Sequence, residues 1–237
     1  MSVFNERNFD ILRAAEKDHF WFSSRRRWIF DVLSGYLPPP ASFLEVGCGT
    51  GNVSSFLASK GYEVTGCEPS AYALDSAWPG FAKITADAYS LPLGDQMFEG
   101  AGLFDVIEHL EDDAAALKEA ARTVVKGGII ICTVPAKMEL WGPFDELSMH
   151  KRRYTQASLM RSVAAARLEI LKINYMFLCL YPAAALRRSN KLQIEEYFKV
   201  SRPVNSFMKA LLRAEREVSQ IVPLPTGTSL ICVAKKS

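Results

Sequence analysis

The chain has 237 residues, 49% of them hydrophobic and 11% aromatic, enough apolar material for one three-layer domain and too much for global disorder. Its net charge is only +2, but residues 41–149 hold six Lys/Arg against sixteen Asp/Glu (−10), and residues 150–237 hold sixteen against five (+11). The two halves are therefore expected to face different partners, unless the basic residues only cover solvated helix faces.

Residues 1–37 read as helical, with aromatic and basic residues clustered in HFWFSSRRRWIF, and Pro38, Pro39 and Pro40 stop the helix. SFLEVG (42–47) has the pattern of a buried strand, followed by a glycine-rich turn and a helix over 52–59 that Lys60-Gly61 closes. YEVTGCE (62–68) is a second strand, residues 70–77 a short helix, residues 82–86 a third strand and residues 100–104 a weaker fourth. Residues 112–125 form a helix that Gly127-Gly128 should cap, and GGIIICTVP is the most strand-like segment. A loop over 135–153 leads to a helix over 155–166, with Thr155 as its cap, and LEILKINYM and TSLICVAKK are the last two strands. Alternating strand and helix predicts an α/β fold, a doubly wound and mainly parallel sheet.

About fifty residues separate the last two strands, too many for a simple hairpin. They hold RRSNKL, a break at Pro203 and an amphipathic helix from near Val204. Its apolar positions Phe207, Leu211, Ala214, Val218 and Ile221 keep helical spacing, so this stripe is expected to pack on the sheet or in a dimer.

No apolar run reaches the roughly 18 residues of a membrane span. The charged N-terminus MSVFNERNFDILRAAEKDHF lacks the apolar centre of a signal peptide, so a cytoplasmic protein is expected. The five cysteines are scattered, never in a CxxC pair, and read as reduced core residues. None of the three histidines is paired at metal-ligand spacing, and no metal site is expected.

The strongest local signal is Glu45-Val-Gly47-Cys48-Gly49-Thr-Gly51-Asn52, between a strand and a helix. Glycines there let the backbone turn tightly and approach a ligand, and the next helix offers free N–H groups to an anionic group. A dinucleotide fingerprint reads GxGxxG; here the glycines read GxGxG, with an acid two residues before the first. Glu68 ends the second strand, where an acid can accept both ribose hydroxyls, and Asp87 closes the third.

These features together resemble the class I S-adenosylmethionine-dependent methyltransferases over residues 40–135, as does FDVIEHLED (104–112). The resemblance implies a Rossmann-like seven-stranded sheet and S-adenosylmethionine as cofactor, with S-adenosylhomocysteine as product. It places Gly47, Cys48, Gly49, Gly51 and Asn52 around the methionine portion, with Glu45 near its ammonium. Glu68 would bind the ribose, Pro69 and Ser70 would flank the adenine, Asp87 and Ala88 would meet its amino edge, and Phe104 and Asp105 would sit beside the sulfonium. Carboxylates near an ammonium and a sulfonium make electrostatic sense.

HFWFSSRRRW and LSMHKRRYT are similar to segments of a bacterial, type 11-like subgroup, in which the N-terminal segment folds over the cofactor. That implicates Trp21, Arg26 and Arg27, with the Arg25–Arg27 run supplying cations. The expected organisation is a single methyltransferase domain: a helical lid (1–37), a cofactor-binding core (41–176), a helical insertion (177–225) and a last strand (226–237).

Methyl transfer needs alignment and exclusion of water, and a general base only for a protonated acceptor. His109 and His150 are the candidates for that base. The expected acceptor is a small molecule or a lipid- or glycan-linked one, and the basic insertion favours an anionic acceptor and peripheral contact with the inner membrane face. The chain would act as a monomer or homodimer. Three rival readings are a nicotinamide-dependent oxidoreductase, a non-catalytic S-adenosylmethionine-binding protein and a nucleic-acid methyltransferase. GxGxG spacing argues against the first, and the lack of an interleaved aromatic platform against the last.

Overall fold

The computed structural model describes residues 6–187 and 193–237. Seven strands form one sheet: β1 (Ser42–Val46), β2 (Glu63–Glu68), β3 (Ala82–Thr85), β4 (Phe98–Phe104), β5 (Val124–Pro135), β6 (Leu168–Met176) and β7 (Ser229–Lys236). Their order is β3-β2-β1-β4-β5-β7-β6. All neighbours run parallel except β7, which is antiparallel to both β5 and β6. The predicted doubly wound sheet is therefore present, and its order reverses at β1, with β2 on one side and β4 on the other. A crevice forms at such a reversal, beyond the carboxyl ends of the strands.

Helices cover both faces: α1 (Glu6–Ala15), α2 (Phe20–Ser34), α3 (Asn52–Ala58), α4 (Ala71–Asp75), α5 (Asp113–Thr123), α6 (Pro143–Leu147), α7 (Gln156–Ala165), α8 (Tyr181–Arg187), α9 (Ile194–Tyr197) and α10 (Arg202–Ser219). Period-two alternation divides the core. Leu44 and Val46 of β1 pack with Leu117 of α5 and Leu159 and Val163 of α7. Phe43 joins Trp28, Ile29 and Leu33 of α2, Leu57 of α3 and Leu212 of α10 on the other face. Glu45 shares the parity of Phe43, so the strand aims its carboxylate at the side where α2 and α3 pack.

Two expectations need correction here. The Gly127-Gly128 pair caps no helix: α5 ends at Thr123, β5 begins at Val124 and both glycines lie within the strand. A Cβ on Gly128 would sit 2.6 Å from the Glu99 carbonyl oxygen, so the pair permits close strand approach where the β4–β5 register shifts. The segment 135–153 is not all loop, since it holds a 3₁₀ turn (Met138–Leu140) and α6.

The insertion differs more. Pro203 starts α10 rather than breaking it, standing in the first turn where its missing N–H is harmless. The apolar stripe does not pack on the sheet: Phe207 is 64% and Ile221 85% exposed, with Val204, Val218 and Val222 also exposed. The inward face is largely polar, comprising Asn205, Leu212, Glu215 and Ser219. Glu215 accepts the backbone N–H groups of Leu178 and Cys179 at 2.7 and 2.8 Å, and Asn205 accepts that of Phe20 at 2.7 Å. These bonds fix which face turns inward, and the stripe is left outside. The RRSNKL positions 188–192, with Arg188 and Lys191, lie outside the described residues. Among the described residues no helix is long and apolar enough to cross a membrane.

Candidate active site

A cavity of about 570 Å³ occupies the crevice at the ends of β1, β2 and β4. The turn after β1 forms its floor, with Gly47, Gly49 and Gly51 all at positive φ. Two of these glycines serve different purposes. Among the described residues a Cβ on Gly49 would meet nothing within 4 Å, so that side of the turn is open. One on Gly51 would lie 2.3 Å from the Phe81 ring, so Gly51 is needed for packing, as the residue preceding α3.

Glu45 is fully buried and accepts a hydrogen bond from the Ser54 hydroxyl; burial pushes its carboxyl up to about 7. Glu68 accepts the N–H groups of Gly49 at 3.0 Å and Ser70 at 3.2 Å, while burial raises its carboxyl above the ordinary value. Asp87 accepts the Tyr89 N–H at 2.8 Å. The Asn52 side chain is buried against the cavity, and among the described residues neither its amide oxygen nor its nitrogen is hydrogen-bonded.

The N-terminal helices close one side. Arg25 of α2 pairs with Asp105 at 2.5 Å and donates to the Phe104 carbonyl at 2.7 Å. Asp105 adopts φ +56°, a left-handed conformation that Asp tolerates better than most residues. Glu16, buried just after α1, accepts the Thr50 hydroxyl at 2.5 Å and the Trp78 indole N–H at 2.8 Å, tying the N-terminal segment to the glycine turn.

Beyond Asp105 the chain enters a 3₁₀ turn, Ile107–His109. The His109 and His150 rings lie 4.8 Å apart, nearly perpendicular. His150 Nδ1 is 2.8 Å from Asp145 Oδ1, which also accepts from Arg153 Nε at 2.8 Å, while Asp145 Oδ2 accepts the Gly142 N–H at 2.9 Å. Burial opposes ionisation of Asp145, yet the bonds from His150 and Arg153 hold its carboxyl below the ordinary value. Burial and the nearby His150 push His109 down to about 4, leaving a neutral imidazole. Glu108 is wholly buried, neither of its oxygens is hydrogen-bonded among the described residues, and burial with the Asp105 charge drives its carboxyl upward. Phe20, Phe22, Phe144, Tyr197 and Phe198 wall this end.

Of the residues singled out in the sequence, Trp21, Glu45, Gly47, Cys48, Gly49, Asn52, Glu68, Pro69, Asp87, Ala88, Phe104, Asp105, His109 and His150 line the cavity. Four others do not. Arg26 and Arg27 lie 5.2 and 5.4 Å from the centre of the Phe56 ring, because only Arg25 of the run shares a helix face with Trp21. Gly51 is covered by Phe81, and Ser70 is occupied as the cap of α4, accepting the Ala73 N–H at 3.2 Å. Sequence reasoning missed Glu16, Glu108 and Asp145. Glu108 had a signal in its adjacency to His109; Glu16 and Asp145 had none.

This strand order, with its reversed seventh strand and glycine turn after β1, defines a Rossmann-like methyltransferase fold. Residues 44–132 match the methyltransferase domain family Methyltransf_11. A malonyl-[acyl-carrier protein] O-methyltransferase of Pseudescherichia vulneris is 31% identical over 137 residues, 54% of this chain and 55% of that protein. An O-methyltransferase of Pyrenophora dematioidea is 31% identical over 112 residues, 43% of this chain and 42% of its own length. The chain thus spans about half the length of these curated relatives. Among solved structures, an S-adenosylmethionine-dependent methyltransferase from Thermotoga maritima has a TM-score of 0.62 at 19% identity, covering 94% of this chain and 92% of its own. One from Methanosarcina mazei has a TM-score of 0.59 at 17% identity, covering 86% and 96%. The chain thus resembles a methyltransferase domain over residues 44–132 and shares the fold of solved S-adenosylmethionine-dependent methyltransferases.

Proposed function

We propose that this protein methylates a hydroxyl oxygen of a small or lipid-linked acceptor with an apolar body. The observation that carries the reading is the far end of the cavity, where Glu108, His109 and His150 stand inside a wall of aromatic rings. An apolar chamber with a few convergent polar groups suits an acceptor anchored by its body and oriented by one polar atom. Two relatives bear the name O-methyltransferase.

The near end fits the cofactor on two observations, the unpartnered amide of Asn52 and the open side of Gly49. Glu45 would hold the ammonium, Glu68 the ribose hydroxyls, and Asp87 with Ala88 the adenine edge. Bound there, S-adenosylmethionine supplies a methyl group on a positively charged sulfur. The protein's share is then to align the acceptor, exclude water and handle the hydroxyl proton. The lid performs the exclusion through its Arg25–Asp105 and Glu16–Thr50 contacts. The test is transfer of radiolabelled methyl groups from S-adenosylmethionine to a panel of phenols, hydroxy-lipids, amines, thiols and RNA. Label confined to hydroxyl acceptors supports the reading, and label on amines or RNA alone refutes it.

The exposed stripe along α10 and the residues just after it favours the lipid-linked form of this acceptor. Val204, Phe207, Val218, Ile221 and Val222 leave a ribbon of apolar surface on the same insertion that lends Leu180, Ala183 and Ala184 to the cavity wall. Sedimentation with anionic vesicles tests this reading.

A further inference from the structure

We infer that Glu108, His109 and His150 form a binding site for a divalent cation of the zinc type, at the acceptor end of the cavity. Each offers one ligand atom, and the three atoms lie within 4.8 Å of one another. The corners of an equilateral triangle with that edge lie about 2.8 Å from its centre. Each ligand must therefore move inward by roughly 0.7 Å to reach the ~2.1 Å of a zinc bond, within the reach of small side-chain rotations.

The second observation is Glu108 itself. Its side chain is wholly buried, and among the described residues neither carboxylate oxygen has a hydrogen bond. His150 Nε2 stands 3.9 Å from Oε1, beyond hydrogen-bonding range. A buried carboxylate without a partner is costly, and a cation between these groups removes the cost. The nearby guanidinium of Arg25 is already engaged by Asp105 and the Phe104 carbonyl.

The surroundings hold the His150 imidazole in the manner of a metal ligand. His150 Nδ1 bonds to Asp145, itself braced by Arg153 and the Gly142 N–H, which leaves Nε2 facing Glu108. A carboxylate behind an imidazole is the usual outer support of a metal site. Two nitrogens and one carboxylate oxygen, with an open side, match catalytic zinc sites and the related sites of iron(II). The open side faces the cavity, since all three residues line it. On the hydroxyl reading above, the cation's vacant position would take the acceptor's oxygen and lower the pKa of its proton.

The test is titration of chelator-stripped protein with Co²⁺, followed by visible absorption, then displacement by Zn²⁺ in calorimetry. Circular dichroism and S-adenosylhomocysteine binding control for folding. The expected result is one Co²⁺ per chain, displaced by Zn²⁺. Affinity should fall at least 100-fold in Glu108→Gln and in His150→Gln, and about 10- to 100-fold in Asp145→Asn, which touches no metal. Absence of Co²⁺ uptake, or uptake unchanged in a folded His109→Gln/His150→Gln variant, overturns the site. If chelated protein binds no Co²⁺ yet methylates a hydroxyl at full rate, the metal site is removed and the hydroxyl reading stands. Site-dependent Co²⁺ uptake by a protein that methylates only amines supports the site and removes that reading.

Discussion

Replacing Glu45 by Gln should make the protein more stable at pH 8 and a worse binder of its cofactor. Burial lifts the Glu45 carboxyl from 4.5 to about 7 in the folded chain. A folded value above the unfolded one gives stability that is fully present below pH 4.5 and is lost as pH rises through 7. The interval of 2.5 units, at about 1.4 kcal/mol each, makes the loss roughly 3 kcal/mol. Gln keeps an acceptor for the Ser54 hydroxyl but does not titrate. Urea unfolding of both proteins at pH 5, 6.5 and 8 should show Glu45→Gln gaining on the wild type as pH rises. The cofactor's ammonium reverses the preference by favouring the ionised carboxylate. Loss of that charge-assisted bond, about 1.5–3 kcal/mol, should weaken S-adenosylmethionine binding by roughly 10- to 150-fold. Calorimetry at pH 6.5 in two buffers of different ionisation enthalpy should also detect proton release by the wild type alone. A stability difference independent of pH, with equal cofactor affinity, would refute the argument.

The two glycines of the turn should fail differently. Gly51→Ala, strained against Phe81, should lower the melting temperature, whereas Gly49→Ala should cut S-adenosylhomocysteine affinity at least tenfold with a smaller thermal change, both read by thermal shift with and without ligand. Arg25→Ala should cost about 1–3 kcal/mol in urea unfolding and weaken cofactor binding, because it leaves Asp105 without its partner; unchanged values would show the lid contact to be idle. Replacing Phe207, Val218 and Ile221 together by Ser should abolish sedimentation with anionic vesicles while leaving the melting temperature within a few degrees, since these side chains are already exposed. Sedimentation that survives the triple change would exclude the stripe as the contact.

What was legible in the sequence was local. A strand, a glycine turn and a helix follow one another in SFLEVGCGTGN, so Glu45, Gly49 and Asn52 could be placed at once, and Glu68 and Asp87 mark the ends of the next two strands. The second half of the site was legible only in fragments. His109 and His150 could be named, but their meeting depends on α6 and the loop after it folding back over the end of β4. Asp145 looked like a surface acid until that fold placed it behind His150. The α10 stripe misled because periodicity reports which residues share a face, not which face turns inward. There Asn205 and Glu215 decided the matter by satisfying backbone donors that apolar residues could not. Gly127-Gly128 misled similarly, since a helix end and a close strand crossing both select glycine.

The polar seam of α10 sets how the insertion can come loose. Apart from Leu212, its contact face buries little hydrocarbon, and its apolar ribbon already meets solvent. Undocking the helix would therefore change the heat capacity only slightly while breaking several directional bonds. Such a seam does not weaken on cooling as apolar contacts do. It also has one seating rather than many, because Glu215 must find two particular N–H groups at once. The segment from Leu178 through α8 is pinned at that point, so the cavity has a wall fixed in register where an oily contact would have let it slide.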